Sequence, residues 1–207
     1  MGGFFILIYI MAILTTQLEA VNSMLAHIGE APVSTISDAV ALPVSASTAL
    51  ATLNEVSKEV QSEDWHFNSI PKLTLSPAGD KRIGVPQDAI TLDAIDKNID
   101  VTMRGNYLFD RKNNTNLFDG DVVVKVSVFL PWEELYEQAR RYIVLRASRI
   151  FQARLVGSKE LEALIARDEY QARARLEDAD SSHSDRTMFD NYDVAIRIGV
   201  NRNYQLS

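Results

Sequence analysis

Cysteine is missing from all 207 residues, which excludes disulfide scaffolds, thiolate metal sites and cysteine nucleophiles, and leaves no thiol to report on the redox compartment. Glycine (9) and proline (6) are scarce, so collagenous and low-complexity chains are excluded too, and 46% hydrophobic with 24% charged residues is the make-up of an ordinary folded protein. The only glycine pair, Gly2-Gly3, offers no loop of freed amides to cradle a phosphate. Three histidines are present, His27, His66 and His183, none at the i, i+4 spacing that turns two imidazoles toward one metal, so neither a metal nor a cofactor is expected. Positive charge is in short supply: 21 Lys and Arg against 28 Asp and Glu give −7, which argues against a surface that grips nucleic acid by neutralising phosphates. The longest apolar run, Phe4 to Leu14, ends well short of the about 20 residues a spanning helix needs, so no membrane anchor is expected.

That run has two further readings. As a signal peptide it has a small residue, Ala20, near a cleavage point, but no Lys or Arg precedes it and Glu19 sits beside that point. If translation starts at Met11 instead, residues 1–10 are an extension without structural role, and Thr16 with Glu19 forms a capping box that opens a helix soon after the start.

What is present reads as helices at both ends with strands between. Leu18, Val21, Met24, Leu25 and Ile28 recur at helical spacing, with Gly29 placed for a left-handed C-cap and His27 placed to meet the helix C-terminus. Ala46, Leu50, Leu53, Val56 and Val60 mark a second amphipathic helix from near Pro43 to Ser62. From Trp65 the character changes. Short runs at Trp65–Phe67, Leu73–Leu75, Ala89–Ile95, Ile99–Met103, Tyr107–Phe109 and Val122–Leu130, separated by Gly, Asn, Asp and Pro, predict a small antiparallel sheet. The last run alternates, Val122, Val124, Val126 and Val128 against Val123, Lys125, Ser127 and Phe129, as a strand covered mainly on one side does. Residues 111–121 read as an exposed polar loop. A helix is predicted from Pro131 to Val156 with Glu133, Glu134 and Glu137 in its first turns, then another capped by Ser158 and carrying Leu161, Leu164, Ile165, Ala172 and Leu176. After Asp178 the apolar pattern stops. The fold class is therefore α+β: a helical bundle built from the N- and C-terminal helices, 11–64 and 131–178, with an inserted β region, 65–130, and an extended C-terminal arm, 179–207.

Catalytic constellations are thin. Ser182, His183, Ser184 and Asp185 are adjacent in sequence and so badly placed to form a rigid triangle. Glu133 with Glu134 or Glu137, and Asp119 with Asp121, are carboxylate pairs of the kind glycoside hydrolysis uses, but they fall in a helix first turn and a polar turn, where ionised exposure is the default. The strongest charge signal is different in kind. Between Ala139 and Gly157 stand Arg140, Arg141, Arg146, Arg149 and Arg154 with no acidic residue among them, and Arg146 and Arg154 share a sector with Tyr142, Ile143, Ala147 and Ile150. Such arginines pack their stems with solvated heads, pair with carboxylates from elsewhere, in the chain or in a neighbouring subunit, or touch DNA, the last disfavoured by the acidic total.

Particular residues resemble a known family. Leu18-Glu19-Ala20-Val21-Asn22 with Met24-Leu25, Ile28-Gly29-Glu30 and Pro32-Val33 is similar to the opening of tail tubular protein A of short-tailed bacteriophages. Trp65, Phe67 and Asn68, then Gly105 with Tyr107-Leu108-Phe109-Asp110, then Arg141-Tyr142-Ile143, Ala147-Ser148-Arg149, Phe151-Gln152 and Arg154 with Gly157-Ser158 continue the likeness in order and spacing. Asp64 stands where that family commonly has glycine, and Tyr136 where proline is expected. The resemblance implies a structural virion protein without catalytic turnover. It implies a dodecameric homo-oligomeric ring between the phage portal protein and a tail nozzle protein of the tail tubular protein B type, through which double-stranded DNA passes without sequence-specific binding. Arg140, Arg146, Arg149, Arg154, Arg111, Asp119 and Tyr192 are the residues expected at subunit or partner interfaces. The competing expectation is a tail-associated glycan hydrolase using Glu133, Glu134 or Asp119 with Asp121.

Overall fold

A computed structural model describes residues 14–38 and 41–190. Four helices and five strands follow in order: α1 Gln17–His27, α2 Val44–Gln61, β1 Ser69–Leu75, β2 Ala89–Ala94, β3 Val101–Arg104, β4 Tyr107–Asp110, β5 Val122–Val128, α3 Glu137–Leu155 and α4 Lys159–Asp190. The architecture is α+β, as the periodicities predict. Met11 and residues 1–10 lie outside the described residues.

The predicted caps of α1 are both present. Thr16 Oγ1 accepts the Glu19 N–H at 3.1 Å while the Glu19 carboxylate accepts the Thr16 N–H at 2.7 Å, two otherwise orphaned donors satisfied together. At the other end Gly29 takes φ +77°, so that the Gly29 and Glu30 amides reach back to the Ala26 and Leu25 carbonyls, a closure that a side chain at this position would strain. His27 Nδ1 lies 2.7 Å from the Ser23 carbonyl in the last turn. α1 and α2 pack on α3 and on each other, and α4 packs along α3. Their shared core holds Met24, Leu25, Leu53, Tyr142 and Phe151, all buried, each contributing about 1.5–3 kcal/mol by leaving water.

β1, β5 and β2 form a three-stranded antiparallel sheet in the order β1-β5-β2, and β3 pairs with β4 as a separate two-stranded hairpin. The single sheet expected from the sequence is thus two pieces. They share one core of Ile83, Leu92, Val101, Leu108, Phe118 and the inward valines of β5. The hairpin turns at Gly105-Asn106, where Gly105 at φ +61° takes the left-handed position. Phe118, inside the loop read as wholly exposed, is buried in this core.

The two cores meet at a polar hinge. The Gln61 amide donates to the Leu130 carbonyl at 3.1 Å and accepts the Leu130 N–H at 2.8 Å, and the Asn68 amide donates to the Gln61 and Val128 carbonyls at 2.7 and 3.1 Å. Asp64, the residue standing in for the family's glycine, has φ +61°. Its carboxylate accepts from Lys125 Nζ at 2.7 Å and Ser127 Oγ at 2.5 Å, bonds across to β5 that offset left-handed strain, and they bury Ser127, which the alternation puts on the outer face.

Three expected segments differ. Trp65–Phe67 is not a strand: residues His66–Asn68 form a 3-10 turn, because the Trp65 indole is drawn into the bundle to donate to the Val60 carbonyl at 2.8 Å, and the Asp180 carboxylate accepts the His66 and Phe67 amides at 2.9 and 3.1 Å. The helix predicted from Pro131 starts only at Glu137; Trp132–Glu134 is a 3-10 turn, and Leu135 and Tyr136 are extended, at ψ 145° and 150°. Finally, the chain does not leave the helix at 178: α4 runs on to Asp190, since no Pro or Gly interrupts the sequence from Ser158 to Ile198. No described helix is long and apolar enough to cross a membrane.

Candidate functional site

The arginines of α3 find their partners on α2 and α4. Glu55 and Glu59, four residues apart, share one face of α2, and Glu63 follows in the turn just beyond it. Glu55 receives both guanidinium nitrogens of Arg154 at 2.9 and 3.1 Å, Glu59 pairs with Arg146 at 2.5 Å, and Glu63 with Arg173 of α4 at 3.0 Å. Behind this row the buried Tyr142 hydroxyl accepts from both Arg146 and Arg173 at 3.1 Å, and Arg173 also donates to Glu177 at 2.8 Å. Arg149 turns the other way, to Glu169 of α4 at 2.5 Å. Glu169 is the one buried acid among the described residues, and the Arg149 guanidinium, its own pKa raised by that bond, meets its charge inside the helix pair.

Arg140 has a separate role. At 3% exposure it donates to three backbone carbonyls, Leu135 at 3.0 Å, Thr15 at 2.9 Å and Glu133 at 2.8 Å, tying the segment before α1 and the extended link before α3 to the bundle. Thr15 is held a second time, its N–H and hydroxyl donating to the Glu137 carboxylate at 2.9 and 2.5 Å. Of the residues expected at interfaces, then, Arg140, Arg146 and Arg149 are engaged within the subunit. Arg154 keeps 49% of its side chain in solvent despite its pair. Arg111 lies 3.6 Å from Asp100 with 61% exposed, and Asp119 lies 2.8 Å from Lys81 with 90% exposed. Tyr192 lies outside the described residues.

The carboxylates do not assemble into a catalytic pair. Asp119 is bound by Lys81, whose ammonium holds its carboxyl below the usual range, opposite to the direction a general acid requires. Glu133 and Glu134 are exposed on the 3-10 turn, and Glu137 is taken by Thr15. Among the described residues no group of three or more His, Cys, Asp or Glu is placed to hold a metal ion.

The surface feature the sequence does not announce is apolar. Where α3 ends and α4 begins, Leu155 (49% exposed), Val156 (51%), Leu161 and Leu164 (58%) stand in solvent, and Val44 at the start of α2 is 84% exposed. Gly157, at φ +66°, makes the tight corner that brings the two helix ends together. A groove of about 480 Å³ runs between Val44, Thr48, Ile28, Leu155 and Val156. An apolar surface of this kind, with Glu30 and Ser45 also lining the groove, has the make-up of a contact between proteins. Its signal in the sequence was the apolar Leu155-Val156 beside a glycine, read only as a helix end.

A family model described as Tail tubular protein matches residues 18–186, most of the chain. No curated protein matches it.

Proposed function

Because the chain belongs to the tail tubular protein family, it is a structural protein of the bacteriophage tail, and from that premise we propose that it is the adaptor of a short tail. In this reading copies assemble into a ring, dodecameric by the family resemblance, between portal and nozzle. The ring closes the head after packaging and conducts the genome on ejection. It assembles in the host cytoplasm, and its work is done by contacts between proteins and not by catalysis.

One observation carries the proposal: the bundle satisfies its own charges across three helices and still leaves an apolar corner, Val44, Leu155, Val156, Leu161 and Leu164, without cover among the described residues. A rigid subunit with an uncovered apolar patch suits a head-to-tail contact that closes a ring. Arg154, next to Leu155 in the chain, and Arg111 and Asp119 on the loops of the sheet region, are the polar contacts we assign to assembly and to the nozzle. A net charge of −7 suits a channel wall, since it repels phosphates and lets double-stranded DNA slide.

Sedimentation and single-particle imaging of the purified chain, alone and with portal, test the reading. Rings are expected, and Val44→Glu with Val156→Asp should abolish them while circular dichroism and the urea midpoint stay put. A chain that remains monomeric at high concentration and never joins portal overturns the proposal.

A further inference from the structure

The three-stranded sheet ends in β1 on one side and β2 on the other, and the two edges are built differently. β1 contains Pro71, which lacks an N–H, Lys72, and a break in register between Ile70 and Leu73, all devices that discourage a further strand. β2 has neither proline nor lysine, and from Ile90 to Ala94 its backbone makes no hydrogen bond other than to β5 among the described residues. Leu92 faces the core, Thr91 and Asp93 face solvent, and a groove of about 400 Å³ lies beside the strand between Lys58, Ala89, Ile90 and Phe129.

The chain itself carries a segment of the right pattern. Beyond α4, Val194, Ile196, Ile198 and Val200 alternate with Ala195, Arg197 and Gly199, the period of a strand covered on one face. At about 3.3 Å per residue these seven residues match the six of β2 in length. Placed beside β2, the isoleucines extend the Ile90–Leu92 face and Arg197 extends the face that bears Asp93, with Asp88 at the strand's start. α4 meets the chain just before β1, where Asp180 binds His66 and Phe67, and in the sheet order β5 separates β1 from β2.

Resting on the self-assembly proposed above, we infer that residues 193–200 of one copy add to the open β2 edge of a neighbouring copy as a fourth strand. Each copy in the ring then gives one strand and receives one, and main-chain hydrogen bonds reinforce the contact made by the apolar corner.

The absence of cysteine makes the test clean. Full-length Thr91→Cys is co-expressed with full-length chains carrying a cysteine at Ala195, Arg197 or Gly199 in turn, and ring formation is followed by sedimentation in the same samples. Mild oxidation should give a disulfide-linked dimer from at least one mixture and none from any single variant, and Ile196→Asp with Ile198→Asp in the donor copy should remove that band. Rings without the cross-link, or a cross-link that survives those substitutions, overturn the inference while leaving the adaptor reading intact. So does closure of the disulfide within one monomer when both cysteines are on one chain. Persistent monomers in every sample overturn the adaptor reading, and the inference with it.

Discussion

In the bundle, every arginine of α3 except Arg141 is matched inside the subunit among the described residues, by carboxylates from α2 and α4 or, for Arg140, by three carbonyls. In the sheet region two ion pairs, Lys81 with Asp119 and Arg111 with Asp100, stand on loops with most of their surface in water, and β2 has a second strand partner nowhere among the described residues. Ion pairs that span three helices fix how those helices sit; exposed pairs on loops fix little. The bundle is thereby the rigid frame and the sheet region the side on which the chain can still form bonds.

Removing Arg140 is the strongest way to break that contrast. Arg140→Met takes a donor from three carbonyls, of which only that of Thr15 keeps a second one among the described residues, the Trp132 indole, and should cost about 2–3 kcal/mol, read from the urea midpoint at unchanged m-value. Arg140→Lys should recover less than half, because an ammonium cannot reach three divergent acceptors. Its counterpart in the sheet region, Lys81→Met, should leave the midpoint unmoved. Equal losses at the two sites would show that the sheet region is as tightly braced as the bundle.

Cutting the hinge comes next. Gln61→Ala removes both bonds to the Leu130 backbone and should cost about 2 kcal/mol. Hydrogen exchange should quicken more in β1 and β5 than in α3, since Leu130 belongs to both cores and the amide is what couples them. Uniform quickening would mean one cooperative unit instead of frame and appendage.

How far the sequence disclosed these features follows from the range of each interaction. The capping box of Thr16 and Glu19, the Gly29 closure and the alternation of β5 are local, three to seven residues long, and were readable. The partners of the arginines were not: Glu55 lies 99 residues from Arg154 and Glu59 lies 87 from Arg146, so a stretch rich in unpaired cations looked like an interface. The same holds for the Trp65 segment, whose strand-like composition yielded to an indole bond into the bundle and to a carboxylate 113 and 114 residues away. The apolar corner at Leu155 and Val156 was hidden for the opposite reason, because it has no partner within the subunit and its pattern is indistinguishable from the end of a buried face.

Asp64 sits between the two regions and should give a smaller effect with a clear pH signature. Asp64→Ala keeps the left-handed backbone but loses the bonds that offset it, about 1–2 kcal/mol given that half the side chain is in water. Asp64→Asn tolerates the same backbone and removes only the charge. Hydrogen bonds from Lys125 and Ser127 hold the Asp64 carboxyl below its usual value in the folded state, so its contribution is present at neutral pH and is lost as pH falls below about 4. Urea unfolding of the wild type at pH 7 and pH 3 should therefore show a larger drop than Asp64→Asn does; parallel drops would take Asp64 out of the hinge.

The smallest effect on stability belongs to Arg154, and it is the most informative about function. Its pair with Glu55 is bidentate, yet both side chains are about half exposed, so salt and solvent screen the attraction and Arg154→Ala should leave the urea midpoint where it was. Arg154 does, however, directly precede Leu155 of the apolar corner in the chain, where a neighbouring copy would exclude water and strengthen whatever charge contact remained. Arg154→Ala should then raise the concentration needed for rings about tenfold in sedimentation at 0.15 M salt. If instead rings form as before and only the monomer softens, the α2 to α3 ladder is purely internal and the corner makes its contact through apolar surface alone.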